Sequence, residues 1–337
     1  MNITILGAGA WGTALAISLS ERHKVVLWGR NEDAMREIAA KRENSQYLPG
    51  ITLPQQLGVT SDFTDAIAHA TTGAAANDAL LIIATSVAGL RPLVQQLQAH
   101  PIPNLVWLCK GLEENTQLLP HQIVREVLGN MLAIGALSGP SFAQEVANGM
   151  PCALVIASDN ASLRERVVSA VHSRTLRVYS TDDLIGVEVG GAVKNVLAIA
   201  TGVIDGLGFG LNARAALITR GLAEITRLGV ALGGRAETFM GLAGMGDLIL
   251  TCTGNLSRNR QVGLALSQGK QLDTIMAELG HVAEGVRCAQ AVRVLAQNCK
   301  VEMPIADAVA GVLFDGNTPQ EMVVRLLSRD PRDESTS

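Results

Sequence analysis

A lysine and an asparagine, Lys194 and Asn195, interrupt the apolar run VEVGGAVKNVLAIATGV at residues 187–203. On an apolar helix a lysine ordinarily carries its ammonium out to water along its own methylenes. The residues one helical turn away, Gly190, Gly191, Leu197 and Ala198, share its face and are mostly small, which leaves room beside the ammonium for a second molecule. An ammonium held there can stabilise, and then protonate, an oxygen on which negative charge develops, as on a ketone receiving hydride. Free lysine has a pKa of about 10.4, and burial lowers it toward a value useful for proton transfer. Asp247, in the glycine-rich apolar stretch GLAGMGDLILTC, is an acid that can hold such an ammonium and oppose too large a drop.

Other stretches supply parts that such a reaction needs. ILGAGAWGTALA sets Gly7, Gly9 and Gly12 in a GxGxxG pattern directly after a strand and at the opening of a helix. In that context the glycines permit a tight turn and close approach of a dinucleotide pyrophosphate to the helix N-terminus. The second strand ends VVLWGRN, where an NAD site usually carries an acid for the ribose hydroxyls, and offers Arg30 instead. A guanidinium there suits a 2′-phosphate, which favours NADP; a solvated surface arginine is the other reading, and use of both cofactors stays open. Lys110 in VWLCKGLE follows a strand on the side where ligands collect, and Ser141 in LSGPSFAQEV is placed to cap a helix pointing the same way; an exposed strand-end lysine and a serine that only caps are the plainer alternatives. Ser257, Arg258 and Asn259 open a further helix, and a helix N-terminus with an arginine suits a phosphate; a serine cap followed by a surface arginine is the plainer alternative.

The elements that position these residues fall into two groups. NITIL, KVVLW, ALLIIAT, NLVWLC, MLAIGAL and CALVIA read as strands separated by helix-length segments, hence a doubly wound α/β domain with a parallel sheet covered on both faces. Strand signals end with LRVYSTDD at residues 176–183. From Leu184 the pattern is helical, over about 184–205, 212–232, 257–267, 283–298, 304–314 and 318–328. The expected organisation is a Rossmann domain at 1–183, an all-α domain at 184–328 and a polar, disordered tail at 329–337.

Composition limits the partners. The formal charge of −4 is spread along the chain with no basic stripe, which argues against nucleic acid. Five cysteines without a CxxC pair read as free thiols in a reducing compartment, and the histidines are scattered singly, suggesting neither a triad nor a metal cluster. No apolar stretch of about 20 residues is free of charge and MNITILGAG lacks the marks of a signal peptide, so the expected location is the cytoplasm with no membrane span.

Read in order from residue 3 to about 325, the segments GAGAWGTALA, KGLE, SGPSFAQEV, VGGAVKNVLAIATG, GLAGMGDLILTC, SRNRQVG and AEGV resemble those of the bacterial NAD(P)-dependent glycerol-3-phosphate dehydrogenases. The resemblance implies a Rossmann domain followed by an all-α domain in a homodimer. It also implies reversible reduction of dihydroxyacetone phosphate to sn-glycerol 3-phosphate by NADPH or NADH, for glycerophospholipid synthesis. It makes Lys194 the proton donor and acceptor, with Lys110 and Asp247 in the catalytic group. Gly139, Ser141, Asn195, Ser257, Arg258 and Asn259 join those three around the substrate. Gly7, Gly9, Ala10, Trp11, Gly12, Arg30, Lys110, Ala143, Arg258, Val282 and Glu284 fall at cofactor positions, and no metal is required because the lysines supply the positive charge. Two rivals remain at this level: a related dehydrogenase of hydroxy acids, which has no need of Ser257, Arg258 and Asn259 at a helix start, and a dinucleotide sensor without turnover.

Overall fold

Short apolar runs rich in Val, Ile and Leu form the sheet. In the computed structural model, which describes residues 1–71, 78–280 and 283–328, the strands are β1 (Asn2–Leu6), β2 (Lys24–Trp28), β3 (Gly58–Thr60), β4 (Leu80–Ile83), β5 (Asn104–Trp107), β6 (Ala133–Ser138), β7 (Cys152–Ala157) and β8 (Leu176–Thr181). Between them run α1 (Ala10–Ser20), α2 (Glu32–Lys41), α3 (Phe63–Thr71), α4 (Val87–Leu97), α5 (Pro120–Leu128), α6 (Ala143–Ala147) and α7 (Ala161–Val171). The strand order is β3-β2-β1-β4-β5-β6-β7-β8. Its first six strands have the dinucleotide-binding order, with β1 central and the chain reversing direction across the sheet between β1 and β4. β4 and β5 are buried along their whole length, as befits strands covered on both faces.

One join departs from the expected parallel sheet. β7 runs antiparallel to β6, with Leu137 opposite Ile156, while β8 again runs parallel to β7. The connection between β6 and β7 contains only the five-residue α6, which packs against α1. A parallel return ordinarily takes a full crossover helix, and here the chain re-enters the sheet in the opposite sense.

From Leu184 the elements among the described residues are helical: α8 (Leu184–Gly206), α9 (Gly210–Ala231), α10 (Ala236–Phe239), a π-helical turn (Leu242–Gly246), α11 (Asp247–Thr253), α12 (Arg258–Ser267), α13 (Leu272–Leu279), α14 (Glu284–Asn298), α15 (Pro304–Phe314) and α16 (Pro319–Leu327). α8 is long and apolar enough to cross a membrane by length and composition, yet its apolar window is wholly buried inside the protein. Val193, Val196, Leu197, Ala200 and Val203 of α8 belong to one core with Leu228, Leu248, Val262 and Val292 from four other helices.

The sheet unit comprises Met1–Cys109 and Pro120–Leu184, and the helical unit takes Lys110–Leu119 together with the chain from Ile185 onward. The division read from the sequence, at 183, therefore contains one excursion. Lys110–Leu119 sits with the helices because Leu112 and Leu119 are buried in their core. The tail at 329–337 lies outside the described residues.

Candidate active site

The helical unit gathers the two lysines and the aspartate. Asp247, the first residue of α11, is 1 % exposed. Its Oδ2 accepts from Lys110 Nζ at 2.6 Å and its Oδ1 from Lys194 Nζ at 2.5 Å. Lys194 Nζ also donates to Thr251 Oγ1 at 2.9 Å, and that hydroxyl donates to the Asp247 carbonyl oxygen at 2.6 Å. Thr251 did not emerge from the sequence. Its signal is the i,i+4 spacing from Asp247, which places both side chains on one face of α11.

Two ammoniums and one carboxylate leave this buried cluster one positive charge. Burial drives the Lys194 ammonium down to about 8; Asp247 opposes the fall and Lys110 adds to it. Burial alone would push the Asp247 carboxyl up, but the two ammoniums outweigh it and hold the group below its ordinary range. Asp247 is therefore an anion, and Lys194 is an ammonium from which a proton leaves easily near neutral pH. That combination suits an acid facing a carbonyl oxygen.

Apart from Asn195 in the middle of α8, the other described residues expected in this unit fall at two helix starts. Ser257 caps α12, its side chain accepting from Arg260 N at 3.3 Å, and Arg258 is the exposed first residue of that helix. Asn259 is buried and points inward: its Nδ2 donates to Asn195 Oδ1 at 2.9 Å and its Oδ1 accepts from Gly285 N at 2.9 Å. This pair of asparagines ties α8 and α12 to the start of α14. Glu284 opens α14 half-buried; burial raises its carboxyl, while Arg287 and Arg258 pull it back. Val282 lies outside the described residues.

The sheet unit holds the remaining positions, and the glycine motif there fits a dinucleotide. Gly7 has φ +130°, and a Cβ on it would stand 2.6 Å from the Ala84 carbonyl oxygen; one on Gly12 would overlap the Gly7 carbonyl. Turn and helix packing thus require glycine at both positions. Gly9 is different: nothing lies within 4 Å of its Cβ position, and it caps α1 with no side-chain hydrogen bond. Open space before uncapped amides, at Ala10 and Trp11, is what a pyrophosphate requires. Trp11 and Ala143, on the neighbouring helices α1 and α6, pack against the same core. Arg30 follows β2 and is exposed, and the next residue, Asn31, is committed to capping α2.

One expectation fails here. Ser141 does not cap a helix: α6 starts at Ala143 with Phe142 as its cap residue, and Ser141 Oγ instead donates to the Gly139 carbonyl oxygen at 3.3 Å. Gly139 has φ +131°, which turns the chain out of β6 and brings that carbonyl within reach.

Two family profiles cover almost the whole chain. Residues 2–164 match the NAD-dependent glycerol-3-phosphate dehydrogenase N-terminus, and residues 183–324 match the C-terminus of the same family. The chain belongs to the NAD-dependent glycerol-3-phosphate dehydrogenases. Among curated relatives it is 72 % identical, over 99 % of both chains, to glycerol-3-phosphate dehydrogenase [NAD(P)+] of Herminiimonas arsenicoxydans. Identity is 71 % to the enzyme of the same name from Paucimonas lemoignei, over 100 % of this chain and 99 % of that one. The crystal structure of glycerol-3-phosphate dehydrogenase from Coxiella burnetii superposes with a TM-score of 0.91 at 40 % identity, covering 97 % of this chain and 98 % of that one. Family membership is carried by both units, so the glycine motif and the lysine–aspartate cluster belong to one dehydrogenase.

Proposed function

We propose that this glycerol-3-phosphate dehydrogenase reduces dihydroxyacetone phosphate to sn-glycerol 3-phosphate with Lys194 as the acid, and runs the reverse reaction with Lys194 as the base. The observation that carries this reading is the Lys194 ammonium, buried between Asp247 Oδ1 and Thr251 Oγ1 in a cluster of net positive charge. When bound, the reduced nicotinamide supplies the hydride that adds to the carbonyl carbon. Lys194 stabilises the oxygen as it becomes negative and gives it a proton. Asp247 orients the ammonium, and Lys110 on the other carboxylate oxygen keeps the cluster from being neutralised. An NADPH oxidation assay with dihydroxyacetone phosphate, repeated with NADH, tests the activity; a chain that binds the cofactor but never oxidises it would be a sensor instead.

The substrate phosphate is assigned to Arg258 at the capped start of α12, where an exposed arginine is the first residue of the helix. A charge-assisted hydrogen bond contributes about 1.5–3 kcal/mol. Arg258→Ala is therefore expected to raise the KM for dihydroxyacetone phosphate roughly 10- to 100-fold. Unphosphorylated dihydroxyacetone, which has no phosphate for Arg258 to hold, is expected to lose less. Equal losses for the two substrates would move Arg258 to a structural or cofactor role.

Arg30 is assigned to the 2′-phosphate of NADPH, on the ground that it is exposed where an acid would otherwise meet the ribose. Arg30→Ala is expected to weaken NADPH binding about 10-fold or more while sparing NADH. Parallel loss of both cofactors in a fluorescence titration would refute the assignment. The reading also includes a homodimer in the cytoplasm that supplies glycerophospholipid synthesis. Sedimentation of the purified chain checks the dimer, and a monomer at working concentration would remove it.

A further inference from the structure

Gly190 lies one turn before Lys194 on α8. A Cβ on Gly190 would stand 2.5 Å from the carbonyl oxygen of Ala243 and 3.2 Å from its carbon. The obstacle is main chain, so no rotamer change can clear it, and overpacking of a dense interior forces the backbone to shift. Ala243 belongs to the π-helical turn Leu242–Gly246, and the residue that follows this turn is Asp247. Gly246 N donates to Gly241 O at 3.1 Å, a five-residue step in place of the four of an α-helix. The additional residue rotates everything after it by about 100° around the helix axis. The direction in which Asp247 points is thus set by the turn, and the turn rests on α8 where α8 has no side chain.

We infer that Gly190 is a positioning residue, whose bare backbone seats the π-helical turn so that the Asp247 carboxylate lies between the ammoniums of Lys110 and Lys194. An added methyl pushes the turn off α8 and takes Asp247 with it, and the Lys194 ammonium loses its counterion. The groups facing that ammonium are Asp247, Thr251 and Cys252 from α11 and Lys110 from the 110–119 segment. Asp247 is the one carboxylate among them, so its withdrawal lowers the proton affinity of Lys194. Gly202, on the same helix, provides the contrast: a Cβ there would overlap the Arg260 carbonyl of α12, a still tighter crossing that does not involve the π-helical turn.

The inference rests on Lys194 acting as the proton donor, and its test separates the two. In the full-length enzyme, kcat/KM for dihydroxyacetone phosphate reduction is measured against pH for wild type, Gly190→Ala and Gly202→Ala, alongside thermal unfolding. Gly190→Ala is expected to lose at least about 10-fold in turnover and to move the pH midpoint down by about one unit or more, since one unit is tenfold in the protonation equilibrium. Gly202→Ala is expected to lower the unfolding temperature and keep the wild-type midpoint. Added to Asp247→Asn, Gly190→Ala is expected to move the midpoint no further. If Gly190→Ala does not fold, Ala243→Gly, which keeps the carbonyl that meets Gly190 but frees the backbone of the turn, is expected to shift the midpoint in the same direction. A wild-type midpoint in the folded Gly190 or Ala243 variant, or an equal shift in Gly202→Ala, overturns the inference. Full turnover in Lys194→Ala overturns the proton-donor reading beneath it.

Discussion

Lys194→Ala is expected to lose nearly all turnover of dihydroxyacetone phosphate while still folding and binding NADPH. A positioned acid contributes roughly 10²–10⁴-fold, and the electrostatic support of a developing oxyanion about 3–4 kcal/mol more. The fold is expected to survive because the substitution removes a charge whose burial is unfavourable. The proton of Lys194 is held less tightly in the folded protein, at about 8 against an ordinary 10.5. The variant leaves Asp247 still paired with Lys110, at 2.6 Å, so no carboxylate is stranded; the cavity left by the side chain partly offsets the gain. Lys194→Arg is expected to rescue little, since a guanidinium keeps the charge but does not release a proton. Steady-state NADPH oxidation, together with a direct binding titration, separates these effects. Near-normal turnover in the alanine variant would make Lys194 a structural lysine that merely crosses an apolar helix.

What the sequence could convey follows from how local each feature is. The Gly7, Gly9 and Gly12 turn was legible because strand, glycines and helix are contiguous, and a contiguous motif carries its own geometry. The long helices α8, α9, α14 and α15 were legible from uninterrupted helical pattern within a few residues of their ends. β3 was not, being three half-buried residues. The direction of β7 was not either, because apolar content marks a strand without saying which way it runs. The same limit applies to the site. Lys194 and Asp247 stood out as charges in apolar surroundings, but Lys110 and Asp247 are 137 positions apart and only the fold joins them. The inward turn of Asn259 toward Asn195 depends on the meeting of three helices, and the hydroxyl of Ser141 turns to Gly139 because α6 begins one residue later than a serine cap at 141 implies. The π-helical turn has no residue code of its own, since any short glycine-rich helix start reads alike. Yet it aims the carboxylate on which both ammoniums depend.

Asp247→Asn is therefore expected to affect activity and stability together. Breaking a buried ion pair by removing one partner typically costs about 3–5 kcal/mol, because the remaining charge stays buried; here the remainder is two ammoniums. The loss is expected to depend on pH, and its sign follows from the direction of each shift. Lys194 in the folded wild type sits at about 8, below its ordinary 10.5. The unfolded chain thus binds the additional proton between those values, and the penalty of holding the ammonium is full below about 8 and fades as pH rises toward 10.5. Without Asp247, which raises the Lys194 value, that window opens at lower pH, so the variant's deficit is expected to be larger at pH 6 than at pH 9. Asp247 itself is held below its ordinary 3.8. Its contribution is present above that value and is lost as pH falls through the folded one, so the asparagine variant is expected to lack this part of the wild type's acid denaturation. In the same variant the pH midpoint of dihydroxyacetone phosphate reduction is expected to fall, because the proton leaves Lys194 sooner. Urea denaturation at pH 6 and pH 9, with kcat/KM measured across that range, checks both. A deficit independent of pH, or an activity midpoint that stays in place, would mean that Asp247 does not govern the proton on Lys194.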